Sequence, residues 1–142
     1  MKIRDVMTGN VIKVAPEETV EVAARTLARH NIGILPVCDH RSKLCGLVTD
    51  RDLVTRCLAA NRSPADTKVS DVMTMQITAA CPDMEVHVAA QLMGRQQVRR
   101  LPVVENGRLC GMVSLGDLAR REDSAEDVFD ALSGISDNVS RR

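Results

Sequence analysis

The sequence predicts an α/β protein, more closely an α+β sandwich of two β-α-β-β-α units, and two observations support this. The first is an internal repeat: shifting residues 5–39 by 66 positions onto 71–105 gives 13 identities in 35. The second is that short apolar runs alternate in each repeat with a stretch of helical periodicity. A unit of about 55 residues is small for an independent core. We therefore expect pseudo-two-fold packing, with sheets central and helices outside.

The predicted elements follow in the same order in both repeats. In the first, an Asp-Val-Met-Thr start leads to a strand at Val11–Ala15 and then to a helix from Val20 to about Arg29. Apolar residues of that helix recur at i, i+3, i+4 and i+7, which forms one buried stripe. A strand at Ile34–Cys38 and a turn at Asp39–Lys43 come next. The second repeat matches with a strand at Ile77–Cys81, a helix from Val86 to about Arg95, a strand at Arg100–Val104 and a turn at Glu105–Gly107.

A glycine, an apolar run, a hydroxyl residue and an aspartate follow each turn. Residues 44–53 and 109–118 share six of ten positions, and their polar pairs are Thr49 with Asp52 and Ser114 with Asp117. Both pairs fall where a strand gives way to a helix, where free backbone amides favour an anion. Ordinary helix capping also explains such a pair. Its occurrence twice within a longer repeat favours a binding site.

The repeats set the predicted domain organisation. The first repeat covers 1–60, a linker rich in polar residues and Pro covers 61–67, and the second repeat covers 68–121. A polar tail at 122–142 remains, in which weak apolar spacing around Phe129 is compatible with a short helix.

Composition excludes several classes of function. Nineteen Lys and Arg residues balance 19 Asp and Glu residues, and aromatic residues make up 1% of the chain. A neutral chain with a single aromatic side chain is poorly suited to bind nucleic acid or an anionic membrane. Since the sequence has neither a signal-peptide-like start nor an apolar run of spanning length, we expect a soluble cytoplasmic protein.

The five cysteines do not form a metal-binding or CxxC pattern. We interpret Cys45, Cys57 and Cys110 as small buried hydrophobic residues. Cys38 and Cys45 flank a short turn, so a disulfide or redox response at that pair is the alternative.

Catalytic chemistry has little support in the sequence. His30, His40 and His87 fall on helix or turn positions away from the Gly-hydroxyl-Asp stretches, and no phosphate-binding glycine loop is present. The spacing offers neither an activated nucleophile nor a set of metal ligands. The sequence therefore favours a protein that is not an enzyme.

These features together resemble the tandem cystathionine-β-synthase-type (CBS) domain pair, also called a Bateman module. The resemblance rests on the Asp-Val-Met-Thr start, the Pro-x-x-(Thr/Glu)-Val helix entry, the Leu-Pro-Val strand and the Gly-apolar-apolar-(Thr/Ser)-x-x-Asp stretch. It covers about residues 1–121 and looks most like the small stand-alone bacterial pairs. It implies a regulatory module that binds AMP, ADP, ATP or an S-adenosyl compound in a cleft between the repeats and signals to a partner protein. No cofactor is implied.

The resemblance also implies two sets of ligand-binding residues. In the first set Asp52 would bind the ribose hydroxyls and Thr49 would lie near the ribose or phosphate. The backbone of Leu47, Val48 and Thr78 would frame the base, and Arg99 and Arg100 would reach the phosphate. The second set consists of Asp117, Ser114, Met112, Val113, Ile12 and Arg51.

The two predicted sites differ in charge. Gly33 and Ile34 stand where Arg99 and Arg100 stand in the other repeat, and Gly116 stands where Arg51 stands. Because arginine binds phosphate through charge-assisted, often bidentate hydrogen bonds, we expect tighter binding of phosphorylated ligands at the Asp52 site.

Two further expectations concern partners. Flat alanine-rich helix faces predict self-association, most simply as a homodimer, which the resemblance also implies. The alternative to a nucleotide sensor is a protein-interaction or structural module whose nucleotide cleft is empty or vestigial.

Overall fold

The computed structural model describes residues 1–120 and 125–140, and the chain folds into two compact units. The Asp52 unit comprises Ile12–Ile77 and Gly107–Leu109. The Asp117 unit comprises Met1–Val11, Thr78–Asn106 and the described residues from Cys110 onward. Each unit combines the start of one repeat with the body of the other, so the compact units differ from the sequence repeats at 1–60 and 68–121. The predicted end of the second repeat, at 121, lies outside the described residues.

The Asp52 unit contains one long helix, one hairpin and a short helix that follows the hairpin. In chain order its elements are α1 (Val20–His30), β1 (Ile34–Cys38), β2 (Leu44–Thr49), α2 (Asp50–Leu53), a π-helical turn (Val54–Leu58) and a 3-10 turn (Val69–Asp71).

Helix α1 forms as its sequence predicts. Its N-cap Thr19 accepts a hydrogen bond from the Val22 amide at 3.2 Å, and its C-cap Asn31 takes the left-handed conformation with φ 52°, a usual helix stop. Its buried residues recur on one face, and they are Val20, Ala23 and Leu27.

The strands β1 and β2 pair antiparallel, with Leu35 opposite Val48 and Val37 opposite Gly46. The register shifts after Val37, so that Cys38 faces Leu44 and Cys45 is the extra residue of a bulge. This hairpin agrees with the predicted strand at Ile34–Cys38.

The first strand predicted in each repeat is wrong. Within Val11–Ala15 only Val14 pairs, as an isolated parallel bridge to Val37. The Val14 amide donates to Pro36 O at 3.1 Å, and the Cys38 amide donates to Val14 O at 2.9 Å. Extending a parallel ladder in either direction would need an N–H from Pro36 or from Pro16, and proline has none. In the second repeat, Ala80 of Ile77–Cys81 bridges Val103 alone, where Pro102 and Pro82 impose the same limit.

The Asp117 unit repeats this architecture and adds a helix. Its elements are a 3-10 turn (Ile3–Asp5), α3 (Val86–Gln96), β3 (Arg100–Glu105), β4 (Arg108–Ser114), α4 (Leu115–Ala119) and α5 (Ala125–Ser140). Strands β3 and β4 form a second two-stranded sheet.

Helix α5 lies within the predicted polar tail and packs against α3. The contact is close because it is made by small residues: a Cβ on Gly134 would lie 2.8 Å from the Gly94 carbonyl oxygen, and one on Gly94 would lie 3.1 Å from Ala131 Cα. Val128 and Ala131 are buried on the contacting side, whereas Phe129 is exposed. Positions 122–124 and 141–142 of the predicted tail lie outside the described residues.

Each unit has its own apolar core. The core of the Asp52 unit is built from α1, the hairpin and the 3-10 turn, and that of the Asp117 unit from α3, β3, β4, α4 and α5. The prediction for Cys57 is confirmed, since it is fully buried, but Cys45 and Cys110 are only partly buried. The α+β class predicted from the repeat is confirmed. None of the described helices has the length and hydropathy needed to cross a membrane.

Candidate functional site

Thr49 and Asp52 lie at the junction between β2 and α2 and cap each other. The Thr49 hydroxyl accepts a hydrogen bond from the Asp52 amide at 3.1 Å, and Asp52 Oδ2 accepts one from the Thr49 amide at 3.0 Å. This reciprocal pair is a capping box, formed because the aspartate stands three residues after the hydroxyl. The spacing that predicted a site thus has a structural role as well.

Ser114 and Asp117 form the same arrangement between β4 and α4. The Ser114 hydroxyl accepts from the Asp117 amide at 3.1 Å, and Asp117 Oδ2 accepts from the Ser114 amide at 2.9 Å. The local geometry of the two junctions is therefore repeated along with the sequence.

The aspartates differ in the groups that surround them. The Thr74 hydroxyl donates to Asp52 at 3.4 Å from Oδ2 and 3.5 Å from Oδ1, and Arg56 Nε lies 3.8 Å from Oδ1. With these neighbours Asp52 is only 8% exposed. Asp117 Oδ1 lies 3.5 Å from the exposed guanidinium of Arg120.

An open cavity of about 340 Å³ lies beside Asp117. It is lined by residues of the Asp117 unit alone, namely Asp5, Val6, Asp117 and Arg120. Its lining is mainly charged, so a ligand that binds here must offer hydrogen-bonding groups to the carboxylates or to the arginine.

Glycine is required in the strand before each junction because the Asp-Val-Met-Thr segment packs directly on it. A Cβ on Gly46 would lie 2.8 Å from Met73 Sδ and 2.9 Å from the Thr74 carbonyl oxygen. On Gly111 the corresponding distances to Met7 Sδ and the Thr8 carbonyl oxygen are 2.7 and 2.9 Å. The glycine and the methionine of the two motifs are therefore partners in packing.

The threonine of that segment also binds the backbone of the strand. Thr74 N donates to Leu47 O at 2.7 Å and Leu47 N to Thr74 O at 2.9 Å, and Thr8 pairs in the same way with Met112 at 2.8 and 3.0 Å. These bonds occupy the Leu47 and Met112 amides, so a ligand at either residue is left with the side chain or with the second lone pair of the carbonyl oxygen. Val48 and Val113 are fully buried.

The structure divides the residues of each predicted site between the two units. Of the first set, the Asp52 unit contains Leu47, Val48, Thr49 and Asp52, and the Asp117 unit contains Thr78, Arg99 and Arg100. Of the second set, the Asp117 unit contains Met112, Val113, Ser114 and Asp117, and the Asp52 unit contains Ile12 and Arg51. Ile12 is 37% exposed, Thr78 is partly buried, and the three arginines are exposed. The assignment of these residues to a ligand stays a prediction.

Sequence reasoning missed Thr74 and Arg56. The signal for Thr74 was present, since Asp-Val-Met-Thr occurs at the same position of both repeats. Arg56 also had a signal, since it stands four residues after Asp52, a spacing at which opposite charges meet on a helix.

The cysteines and histidines lie apart from both junctions. All five cysteines are free thiols, and burial raises the pKa of Cys38 and of Cys110, which lowers their reactivity as thiolates. His30, His40 and His87 are exposed. Within residues 1–120 and 125–140, no three His, Cys, Asp or Glu side chains converge as a metal site.

Comparisons with known proteins agree with this geometry. The family model described as "CBS domain" matches residues 3–59 and 69–124. The chain is 40% identical over 134 residues to the CBS domain-containing protein YhcV of Bacillus subtilis, with 94% of each chain covered. Its fold is similar to that of Hypoxic Response Protein I, crystallised with two coordinated zinc ions, at a TM-score of 0.78 and 33% identity, covering 85% of this chain and 98% of the other.

A second similar structure contains organic ligands. It is the CBS domain pair of protein MJ0100 in complex with 5′-methylthioadenosine and S-adenosyl-L-methionine. The TM-score is 0.73 and the identity 28%, with 84% of this chain and 94% of the other covered. Two family matches in tandem, two repeated junctions and these similarities lead to one conclusion: the chain belongs to the CBS domain family and carries a tandem CBS pair.

Proposed function

We propose that this chain is a non-enzymatic regulatory module that binds an adenine nucleotide or adenosyl ligand through Asp52 and Asp117. The observation that carries the proposal is a nearly buried carboxylate at the same strand-to-helix junction of each repeat. A carboxylate accepts two hydrogen bonds from a vicinal diol such as that of ribose. The adenosyl ligands of the similar MJ0100 pair support this choice of ligand.

The capping box fixes the carboxylate before a ligand arrives. Asp52 Oδ2 is held by the Thr49 amide, so the side chain is ordered without a ligand. An ordered acceptor loses little conformational entropy on binding, which favours affinity. Asp117 is held in the same way by Ser114.

The ligand base would be held without aromatic stacking. Phe129 is the single aromatic residue of the sequence, and it lies on α5, where it is 69% exposed. The aliphatic side chains of Leu47, Met112 and Ile12 are the predicted alternatives. Stacking on such residues is weaker than on aromatic rings, so we expect moderate affinity.

The two proposed sites differ in the number of arginines predicted to contact a phosphate. The resemblance assigns the exposed Arg99 and Arg100 to the phosphate of the Asp52 ligand, whereas Arg51 alone is assigned at Asp117. If this holds, AMP, ADP and ATP bind more tightly at Asp52, and Arg100→Ala weakens them more than it weakens the phosphate-free 5′-methylthioadenosine.

We also propose that the chain forms a homodimer. In α1, Ala24 and Ala28 are exposed, whereas Ala90, which corresponds to Ala24, is fully buried in the core that includes α5. The exposed Val54 and Leu58 add apolar surface to the Asp52 unit. Such faces favour association. Light scattering at micromolar concentration should give about twice the mass of 15.5 kDa, and the monomer mass alone would refute it.

A second candidate function is a structural or protein-interaction module without a ligand. One observation favours it: the hydroxyl and the carboxylate of each junction already satisfy each other. Capping alone accounts for the spacing of these residues.

A thermal-shift panel separates the two functions. AMP, ADP, ATP and S-adenosylmethionine would be added to the wild type and to Asp52→Ala, with Asp39→Ala, a turn carboxylate outside the predicted sites, as the control. A ligand at 100 times its Kd stabilises a protein by about 2.7 kcal/mol. A shift that persists in Asp39→Ala and is lost in Asp52→Ala supports the sensor, and the absence of any shift supports the structural module.

A further inference from the structure

Arg56 lies four residues after Asp52 and contacts both that carboxylate and a distant segment. Its Nε is 3.8 Å from Asp52 Oδ1. Its Nη1 donates hydrogen bonds to the Val72 carbonyl at 3.3 Å and to the Met73 carbonyl at 3.1 Å. A guanidinium presents its donors in a rigid plane, so one side chain serves all three acceptors.

Arg56 lies within the π-helical turn Val54–Leu58. The turn is closed by a hydrogen bond from Ala59 N to Val54 O at 2.8 Å, five residues apart. Single π-helical turns within helices are often found at functional sites. Here the turn carries a residue that contacts the candidate site.

The segment Val72–Thr74 is held in three ways. Thr74 pairs with the Leu47 backbone, its hydroxyl donates to Asp52, and Arg56 binds the two carbonyls before it. Two of these three attachments involve the Asp52 carboxylate or its ion-pair partner. The chain passes into the Asp117 unit four residues further on, at Thr78.

We propose that Asp52 and Arg56 form a latch on the Val72–Thr74 segment, and that a ligand engaging Asp52 releases it. The release step rests on the function proposed above. A ribose diol must donate to the oxygens that Thr74 and Arg56 now contact, so it competes with both. Arg56 is thus a positioning residue, and ligand binding is coupled to the order of Val72–Thr74, which lies in the Asp52 unit shortly before the chain passes into the Asp117 unit.

The latch itself is testable without any ligand, by hydrogen–deuterium exchange of the peptides that contain Met73 and Thr74. In Arg56→Ala and in Asp52→Asn these amides should exchange roughly tenfold faster than in the wild type, since a charge-assisted contact is lost in each. In the double variant the acceleration should be smaller than the product of the two single effects, because the Asp52–Arg56 ion pair is shared by both changes. Arg25→Ala, an exposed arginine paired within α1, is the matched control.

Local opening must be separated from general destabilisation. The amides of α1 belong to the same unit and serve as the internal reference. Faster exchange confined to the Met73–Thr74 peptides supports the latch. Unchanged exchange in Asp52→Asn, or equal acceleration throughout α1, would overturn it.

The release step has its own test, by titration with 5′-methylthioadenosine, which has a ribose diol and no phosphate. If the ligand and Arg56 compete for Asp52, linkage requires Arg56→Ala to bind it more tightly, by roughly three- to tenfold. Weaker or equal binding would overturn the release step. Failure of the wild type and of Arg56→Ala to bind either this compound or AMP would instead refute the proposed function, and the exchange result for the latch would stand independently.

Discussion

The hydroxyl of Thr74 lies 3.4 Å from Oδ2 of Asp52, although the two residues are 22 positions apart in the chain. Through this contact the start of the second repeat supports the aspartate of the first. It also places Thr74 against the same carboxylate that the proposed ligand would use. The residue that opens one repeat is therefore part of the other repeat's candidate site.

Replacing Thr74 by valine removes this contact while keeping the side-chain shape. Because Asp52 is nearly buried, the loss of a hydrogen bond to its carboxylate should lower the free energy of unfolding by about 1–3 kcal/mol. Urea denaturation measures the change. Thr26→Val, whose hydroxyl binds only the Val22 carbonyl of its own helix, should change stability far less, and equal losses in the two variants would contradict the role given to Thr74.

Alanine at Gly46 or Gly111 should destabilise the protein. The added Cβ would lie within 2.9 Å of a threonine carbonyl oxygen, and a backbone atom cannot move aside as a side-chain end can. We expect a loss of about 1–3 kcal/mol, or a melting temperature lower by roughly 2–4 °C per kcal/mol. Gly9→Ala has nothing within 4 Å of its Cβ and is the control. A wild-type melting temperature for Gly111→Ala would show that the segment does not pack on this strand.

The cysteines should react with iodoacetamide in a fixed order. Exposed Cys81 should be alkylated first, Cys110 more slowly, and Cys38 and Cys57 only on unfolding, because both of the latter are buried. Burial raises the pKa of Cys110, so its thiolate fraction near neutral pH is reduced and its rate should keep increasing above the pH range at which an ordinary thiol levels off. Peptide mapping by mass spectrometry gives the rates. Equal rates for Cys38 and Cys81 in the folded protein would contradict the structure and revive the redox alternative.

The packing of α5 on α3 can be tested at Gly134. A side chain there would meet the Gly94 carbonyl oxygen at 2.8 Å, so Gly134→Val should separate the helices and expose Val128 and Ala131. We expect faster hydrogen exchange in the α3 peptides and an unfolding free energy lower by about 2 kcal/mol. Ser133→Ala, on the exposed side of the same helix, should leave both unchanged. Unaltered α3 protection in Gly134→Val would exclude this contact.

Sequence periodicity predicted the helices and hairpins because each is decided locally. The stripe of α1 and the cap at Thr19 lie within one turn of each other, and the β1 strand has the apolar residues of a buried strand. The prediction of a first strand in each repeat was wrong because a strand also needs a partner with which it can form a ladder of hydrogen bonds. Val14 can bridge Val37, but the prolines at 16 and 36 leave no N–H with which to extend the ladder on either side.

The candidate site was predictable only in part. The spacing of Thr49 and Asp52 showed that they share a junction, since the two members of a capping box stand three positions apart in the sequence. It could not show that Thr74 contacts the same carboxylate, because that contact depends on how a segment 22 positions away packs. The packing of Met73 against Gly46 likewise required tertiary structure, although both residues stood out in the repeat.

Calorimetric titration of AMP into the wild type, Asp52→Asn and Asp117→Asn would show whether Asp52 binds the ribose of an adenine-containing ligand. Asparagine keeps an oxygen for the capping box, so the fold should survive in both variants, which circular dichroism would verify. AMP should bind the wild type, the tighter binding event should be lost in Asp52→Asn, and it should be retained in Asp117→Asn. Undiminished affinity of AMP for a folded Asp52→Asn variant would show that Asp52 does not bind the ribose.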